Sequence, residues 1–524
     1  MSAQDRAEVE PAVPLKSWIA VLGTAVGAFM AILDIQITAS SLRDIQGGLG
    51  ASVDEGSWIS TSYLIAEIVT IPLTGWLSRV FSPRLYIVVN AFLFVVFSIA
   101  CGTAHDLGTM IVCRAMQGFT GGILIPMCFT VILEMLPPSR QPVGLALFGM
   151  SATLAPSIGP VVGGFITDNF GWPFIFYLNV IPGLVLLAML LYSLPASPMR
   201  FDLLKNSDIP GIVSMSVGLS CLIYVLEEGQ RKDWLGSESI SNCAVVALVF
   251  LSFFIFHELR ARHPLVNLRL LKRRNFGFGA VANVALGFAL YGTVYALPLY
   301  LAVVQEYSAW QIGQVLIWSG LPQLFITPFV PALMKRIDAR ILSGFGLAMF
   351  CLSCSMNVFM SHDYAGEQLT ISMIIRALGL PFIITPLSAL TTAGIEKSET
   401  GSASALFNMM RNLGGSVGTA MASTVIIQRE QFHSFRIYEH VSLSDPGVRA
   451  FIDTLTAQMK HTGATVWSAH NQALAVLSGQ VRREAFVMAF NDVFLCFSVA
   501  LLLGALATVV MKKLGKSARA AGAH

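Results

Sequence analysis

The chain has 524 residues, of which 55% are hydrophobic and 12% are charged, and its mean hydropathy is +0.69. An ordinary soluble protein has about twice that charged fraction, so the composition excludes a soluble fold and indicates a protein embedded in lipid. The net charge of +3 gives no indication of nucleic-acid binding.

Fourteen apolar segments, bounded by charged residues, Gly and Pro, follow one another along the chain, and each is long enough to cross a bilayer as a helix. They are predicted at 17–39, 57–78, 85–104, 108–133, 142–166, 172–195, 209–227, 240–258, 277–303, 311–333, 340–361, 369–394, 402–428 and 486–511. No small-residue cleavage site follows the first segment, so we interpret it as helix 1 and not as a signal peptide. The sequence therefore predicts an all-α integral membrane protein.

Basic residues are distributed unevenly between the two sides of these predicted spans. Most of the 33 Lys and Arg residues fall on the side of the N-terminus when fourteen helices are counted. Short cytoplasmic loops carry an excess of Lys and Arg, so this asymmetry predicts that both termini are cytoplasmic. The predicted location is the inner (plasma) membrane of a bacterium, crossed many times.

An internal repeat relates helix 5 to helix 13. Residues 146–159 (ALFGMSATLAPSIG) align without a gap with residues 405–418 (ALFNMMRNLGGSVG). Helices eight positions apart run in the same direction, so the match predicts two parallel six-helix bundles separated by two inserted helices. The alternative is a chance similarity between two helices rich in Gly and Ala.

This arrangement divides the chain into five regions. They are a cytoplasmic N-terminal segment (1–16), an N-terminal six-helix bundle (17–200), two inserted helices (201–262), a C-terminal six-helix bundle (263–512) and a cytoplasmic tail (513–524). Segment 429–485 is too long for an ordinary loop, and it is polar with short apolar stretches. We expect it to lie on the extracytoplasmic side and to contain one or two small helices.

Six ionisable side chains fall inside predicted spans, where burial of a charge costs several kcal/mol and therefore indicates a function. They are Asp34, Glu67, Arg114, Arg376, Arg411 and Asp492. At 1.5 Å per residue, Asp34 lies about 25 Å from the cytoplasmic start of helix 1 and Arg114 about 9 Å from the outer start of helix 4. Both lie in the outer half of the membrane, within pairing reach.

We expect two of these carboxylates to be candidates for proton coupling. Asp34 is the first candidate, and Glu67 is the second because it lies about 15 Å into helix 2, where an unpaired carboxylate favours its protonated form. For Arg376, Arg411 and Asp492, a fixed ion pair that holds helices together is an equal alternative to a role in transport.

Helix 5 contains the string APSIGPVVGG, in which prolines and glycines recur inside a span. The prolines each remove a backbone donor, and the glycines let a neighbouring backbone approach closely. The residues concerned are Pro156, Gly159, Pro160, Gly163 and Gly164. By itself this pattern predicts a helix-packing seam.

Further strings accompany it: GWLSRVFSPR between helices 2 and 3, RAMQG in helix 4, NMMRNLGG in helix 13 and PLVNLRLLKRRNF at 264–276. Together with Leu33-Asp34 in helix 1, they resemble the signatures of the fourteen-helix drug:proton antiporters of the major facilitator superfamily, of EmrB/QacA type. The helix 5 string is similar to the antiporter motif of that family. The resemblance covers residues from about 17 to 512.

The resemblance implies roles for single residues. It implies proton coupling by Asp34 with Arg114. It implies a conformational role for the helix 5 residues and for Gly75, Arg84, Gln117 and Gly118, and it makes Asn408 a candidate beside Arg411 in the C-terminal half. Four residues depart from the family pattern, and the last two weaken the charge-network gate ascribed to their loop: Gln36, Ser41, Arg79 and Ser82.

The function implied is proton-coupled export of amphipathic or hydrophobic small molecules by alternating access. The implied partners are these molecules, protons, membrane lipid and, in a Gram-negative cell, a periplasmic adaptor and an outer-membrane channel. No cofactor or metal is expected, since the proton gradient supplies the energy, and no phosphate loop, zinc cluster or nucleophile motif indicates an enzyme.

Two alternatives stay open. The chain could export one physiological solute, such as a siderophore, a lipid or an amino acid, or it could be a non-transporting sensor or scaffold. The cost of the buried charges argues against the latter. Runs rich in Phe, Tyr and Met at 276–300 and 345–360 are interpreted mainly as lipid-facing or core residues, with a minority lining an adaptable cavity.

Overall fold

The computed structural model describes residues 13–205, 208–261, 264–396, 399–441, 444–461 and 465–513. Thirteen helices in these ranges are long and apolar enough to cross a membrane. A fourteenth helix, Thr400–His440, has the length but is more polar, because Asn408, Arg411 and Asn412 interrupt its apolar sequence. The prediction of fourteen helices is thus confirmed within the described ranges, and we number them α1 to α14 in chain order.

Most bounds lie within a few residues of the predicted ones. Helices α1 to α7 are Leu15–Ser40, Trp58–Phe81, Pro83–Gly102, Leu107–Met135, Gln141–Phe170, Pro173–Ser193 and Ile209–Glu228. Helices α8 to α14 are Glu238–Arg260, Arg274–Val303, Trp310–Arg336, Ala339–Phe359, Gly366–Thr392, Thr400–His440 and Val466–Val510. Short helices lie at Leu42–Gly48, Val53–Gly56, Asp202–Lys205 and Pro446–His461, and 3-10 turns at Trp234–Gly236 and Leu268–Lys272.

Capping side chains fix where some spans begin. Asp106 precedes α4 and accepts hydrogen bonds from the Thr109 hydroxyl at 2.6 Å and the Thr109 backbone N–H at 2.9 Å. These two bonds, the hydroxyl first, hold the pKa of the exposed Asp106 carboxyl below its usual range. Ser308 and Gln311 form a reciprocal capping box at the start of α10.

Two six-helix bundles are related by the same packing pattern. In the N-terminal bundle, α1 packs against α5 and α6, and α3 packs against α4 and α6. In the C-terminal bundle, α9 packs against α13 and α14, and α11 packs against α12 and α14. Each of these contacts therefore has a counterpart eight helices later, and the repeated strings on α5 and α13 occupy equivalent places.

The inserted helices α7 and α8 pack against each other, and α7 also packs against α2. Helix α8 lies at the periphery, where Val245 and Leu248 are 61% and 68% exposed. An apolar side chain exposed on a membrane-spanning helix faces lipid, so α8 forms an outer wall and α7 lies between it and the bundles.

The predicted loop 429–485 differs most from the structure. It is largely helical, because α13 continues to His440, α14 begins at Val466 and the helix Pro446–His461 lies between them. Polar contacts tie the two extended helices together: Arg482 pairs with Glu430 at 3.4 Å, and the Tyr438 and Ser478 hydroxyls lie 2.8 Å apart. Hydropathy reports only the apolar part of a span, so it ended both helices too early.

Candidate functional site

A buried polar network joins α1, α3, α4 and α6. Arg114 Nη1 donates to Asp34 Oδ2 at 2.6 Å, and the two side chains are 1% and 2% exposed. The same Nη1 donates to Gln117 Oε1 at 2.7 Å, and Nε donates to the Ile59 carbonyl at 3.1 Å. The pair anticipated from depth is therefore formed, and Gln117 of the helix 4 string is part of it.

The second carboxylate oxygen of Asp34 is also occupied. Its Oδ1 accepts from Gln117 Nε2 at 3.0 Å and from Asn179 Nδ2 at 2.6 Å. Ser98 closes the network, since its hydroxyl accepts from Asn179 at 2.9 Å and donates to the Phe176 carbonyl at 2.9 Å. Three donors therefore hold this one carboxylate in a fixed position.

Sequence reasoning missed Asn179, Ser98 and Tyr63. Asn179 had a usable signal, because a lone amide between apolar stretches is a buried polar group that needs a partner. Ser98 had no such signal. Tyr63 places its ring 4.3 Å from the Arg114 guanidinium, a cation–π contact that helps to hold the arginine in place.

Glu67 of α2 has a different environment. Glu67 is 4% exposed, and its carboxylate forms no hydrogen bond or ion pair with any residue in the described ranges. Helix α4 is interrupted beside it, and a Cβ placed on Gly122 would lie 3.0 Å from the Glu67 Cα. Among charged side chains, Arg411 of α13 acts on Glu67 most strongly and Arg114 next. Glu67 is therefore an unpartnered carboxylate near the boundary of the bundles.

A cavity of about 620 Å³ lies between the bundles and is lined by Glu67, Tyr63 and Arg114. We call the end of the molecule where α1 begins and α14 ends the terminal face, and the opposite end the distal face. The lining extends to Ser57 and Glu228, at the distal ends of α2 and α7. The wall of this cavity combines apolar and aromatic side chains with polar groups, which is typical of a small-molecule site.

A second cavity of about 910 Å³ lies at the terminal face, between the α4–α5 connection and the ends of α10 and α12. The two cavities share no lining residue. Between them the bundles meet: Phe129 stacks on Phe407 with ring centroids 5.8 Å apart, and the Ser404 hydroxyl donates to the Pro126 carbonyl at 3.0 Å. The molecule is closed between its two faces.

The antiporter string of helix 5 forms a close α1–α5 contact. A Cβ on Gly159 would lie 2.4 Å from Gln36 Cβ, and one on Gly163 would lie 3.1 Å from the Ile37 Cα and carbonyl oxygen. Pro156 and Pro160 lie inside the same helix, and Gly164 is buried. These residues therefore let α5 approach the helix that carries Asp34.

Gly75 lies where α2 meets α13 at the terminal face, and a Cβ there would lie 2.9 Å from the Gly401 carbonyl group. Ser82 follows α2 with φ of 68°, a left-handed conformation that favours glycine, which the family pattern has at this place. Arg84 donates to the Leu191 carbonyl at 2.9 Å. Arg84 therefore ties α3 to α6.

Arg376 and Arg411 of the C-terminal bundle are buried, and neither pairs with a carboxylate in the described ranges. Arg376 donates to the Thr293 hydroxyl at 2.9 Å, so α12 contacts α9 where α4 contacts α1 in the other bundle. Arg411 donates to Asn408 Oδ1 at 3.0 Å and lies 5.4 Å from the Phe148 ring of the other bundle. In the described ranges, neither Nε atom has a hydrogen-bond partner.

Asp492 belongs to a half-exposed ion pair. It accepts from Arg429 and, at 2.9 Å, from His433, both on α13. It lies about 27 Å from the terminal end of α14, near the edge of a hydrocarbon core about 30 Å thick. Geometry therefore favours the ion-pair interpretation for Asp492.

No group of three His, Cys, Asp or Glu side chains in the described ranges could hold a metal ion.

Comparison with known proteins gives a consistent result. Residues 24–419 match the model of the Major Facilitator Superfamily. The chain is 33% identical over 515 residues to the colistin resistance protein EmrB of Acinetobacter baumannii, covering 97% of this chain and 98% of that protein. It is 29% identical over 512 residues to the multidrug export protein EmrB of Escherichia coli K12, covering 97% and 98%.

A third relative is the fatty acid resistance protein FarB of Neisseria gonorrhoeae, 30% identical over 492 residues, with 93% of this chain and 95% of that protein covered. Among solved structures, the human organic anion transporter MFSD10 superposes with a TM-score of 0.55 at 12% identity, covering 93% of this chain and 100% of that one. That likeness concerns the fold alone. On the family match, the full-length relatives and the fourteen-helix architecture, the chain belongs to the Major Facilitator Superfamily and is an EmrB-like efflux transporter of the membrane.

Proposed function

We propose that this transporter is a proton-coupled antiporter that exports amphipathic or hydrophobic small molecules from the cytoplasm. The observation that carries the proposal is Glu67, a buried and unpartnered carboxylate that lines the cavity between the bundles. Asp34, in contrast, is held by three hydrogen-bond donors. Relatives named for multidrug export and for resistance support the class of cargo.

We assign the coupling proton to Glu67 before Asp34, because Asp34 already accepts from three donors and Glu67 from none in the described ranges. When Glu67 is ionised, it is attracted to Arg411 across the bundle boundary, and protonation removes that attraction. A proton therefore changes the relative stability of two arrangements of the bundles, which coupling requires. Asp34, Gln117 and Asn179 act in this scheme as the rigid support that holds Arg114 against α2.

We further propose that the termini are cytoplasmic, in the inner membrane, so that the 620 Å³ cavity faces outward and the 910 Å³ cavity faces the cytoplasm. Protons would then enter from the distal face while cargo leaves through it. One proton crossing about 150 mV supplies about 3.5 kcal/mol, enough for roughly a 300-fold cargo gradient.

The test uses inverted membrane vesicles with an imposed proton gradient, and it follows uptake of the dye Hoechst 33342 and of labelled chloramphenicol. Glu67→Gln, which keeps size but cannot titrate, is expected to abolish proton-driven uptake. The matched control is Glu238→Gln on the neighbouring helix α8, where the glutamate is exposed. Uptake by Glu67→Gln at the unaltered rate would refute the assignment, and uptake of one panel member alone would favour the single-solute alternative.

A periplasmic adaptor and an outer-membrane channel are proposed as partners in a Gram-negative cell. The extension of α13 and α14 is the surface we expect the adaptor to contact, because Phe435 and Trp467 are 67% and 80% exposed there. Phe435→Ser combined with Trp467→Ser should leave vesicle uptake intact and reduce drug resistance of whole cells. Undiminished cellular resistance would contradict this contact.

A further inference from the structure

The inserted helix α7 contributes to the cavity although it lies outside both bundles. Its last turns line the cavity with Ile223, Leu226, Glu227 and Glu228. The Glu228 carboxylate is occupied, because it accepts from the Thr61 hydroxyl at 3.2 Å and pairs with Arg231. Glu227 forms no hydrogen bond or ion pair with a residue in the described ranges. One of two adjacent carboxylates therefore holds α7 in place, and the other is left for a ligand.

Two tyrosines of α9 accompany the unpartnered carboxylates. Tyr291 and Tyr295 line the same cavity and lie one helical turn apart, about 6 Å along the helix. Both tyrosines share the wall of this cavity with Glu67 and Glu227. A carboxylate beside an aromatic ring is a recognition element for an organic cation, since both the charge and the ring face attract it.

The charges on the cavity wall point the same way. Arg114 lines the cavity, but its charge is compensated by Asp34 at 2.6 Å. Arg411 does not line it. The carboxylates without a partner are Glu67, which is 4% exposed, and Glu227, which is closer to the distal face. An uncharged or anionic molecule would leave Glu227 uncompensated, whereas a cation would pair with it.

We propose that Glu227 and Tyr295 form a binding site for the positively charged group of the cargo, so that the preferred cargo is an amphiphile with a cationic head and an apolar body. This inference rests on the proposed export function and names the substrate class of the same cavity. The apolar body lies against Ile35, Leu64 and Val294, which also line the cavity. The cation is then held at Glu227, and Glu67 stays available for the coupling proton.

Cation binding and proton binding are assigned to carboxylates on different helices. The cation-binding carboxylate lies on α7, and the proton-binding carboxylate lies on α2 of the N-terminal bundle. Removal of Glu227 should therefore change which molecules bind without uncoupling transport from protons. Removal of Glu67 should do the opposite.

The test measures binding of two probes of the same shape and opposite charge, tetraphenylphosphonium and tetraphenylborate, to the purified full chain near neutral pH. Wild-type protein is expected to prefer the phosphonium by at least tenfold. Glu227→Gln should reduce phosphonium affinity about tenfold, equivalent to about 1.4 kcal/mol, and leave borate affinity unchanged or higher. Glu227→Asp should retain the preference, and Glu238→Gln, an exposed glutamate of α8, should behave as wild type.

Proton-driven chloramphenicol uptake separates this inference from the proposed function. Uptake of this uncharged molecule by wild-type protein and, at the same rate, by Glu238→Gln, together with lost charge preference in Glu227→Gln, supports the site. Equal binding of both probes to wild type, or an unchanged preference in Glu227→Gln, overturns the site while chloramphenicol uptake leaves export standing. Absence of any proton-driven uptake by wild type would remove export, and the site with it.

Discussion

Substitution of Gly75 by alanine should shift the transporter away from the closed terminal face. The added Cβ would lie 2.9 Å from both the carbonyl carbon and the carbonyl oxygen of Gly401, on the other bundle. Normal contact needs about half an ångström more, and both atoms are backbone, so only separation of α2 from α13 relieves the clash. Overpacking of this kind costs about 1–3 kcal/mol. Because the contact exists only when the terminal face is closed, the equilibrium should shift by about 5- to 150-fold.

The matched control is Gly144→Ala. Its Cβ would lie 2.8 Å from Ile132 Cγ2 and Leu136 Cδ1, which are side-chain atoms of the same bundle. The clash is of similar size, but relieving it does not separate the bundles. Gly144→Ala should therefore lower stability slightly and leave the conformational equilibrium unchanged.

Spin labels at Arg140 and Arg336, which are exposed at the terminal ends of α5 and α10, report the distance between the bundles. The labels require prior replacement of the eight native cysteines. Double electron–electron resonance should show a larger population of long distances in Gly75→Ala than in the parent protein. The reasoning is refuted if this population is unchanged, or if Gly144→Ala raises it equally.

Three further predictions concern the network, the helix 5 seam and the topology. Asp34→Asn should lower the melting temperature in detergent and abolish export, because Arg114 is left buried without its carboxylate. An added Arg114→Ala should restore part of the stability but not export. An unaltered melting temperature of Asp34→Asn would contradict this reasoning. Gly159→Val and Gly163→Val should block vesicle uptake while the protein still reaches the membrane, since the side chains would push α5 from α1; full uptake by both would remove the packing argument. A cysteine replacing the exposed His470 should react with an impermeant thiol reagent before the inner membrane is opened, and reaction only afterwards would invert the topology.

Much of the fold follows from the sequence because lipid imposes one requirement on every span. Apolar length reveals the helices, and the repeat on α5 and α13 reveals the parallel halves. The site follows less completely. Asp34 and Arg114 stand out as charges in apolar surroundings, but Asn179 reaches Asp34 across 145 positions, and no local pattern records such a contact.

The role of α7 was also beyond the sequence. Glu227 and Glu228 are adjacent at the end of a span, so composition alone gives both the appearance of a solvated helix terminus. Only tertiary packing shows that Thr61 and Arg231 occupy one of them while the other lines the cavity. Likewise, the number of hydrogen-bond donors that Asp34 and Glu67 each meet is set by neighbouring helices.

The extended α13 and α14 have a mechanical consequence. Helix α13 belongs to the closed seam through Gly401 and Phe407, and it continues without a break to His440, about 18 Å past its predicted end. Helix α14 runs beside it and is tied to it by the contact between Arg482 and Glu430. The two helices form a stiff lever fixed to the C-terminal bundle. A small tilt that separates the bundles at the terminal face therefore produces a larger displacement at the distal ends of α13 and α14. A protein docked there would be displaced in each transport cycle.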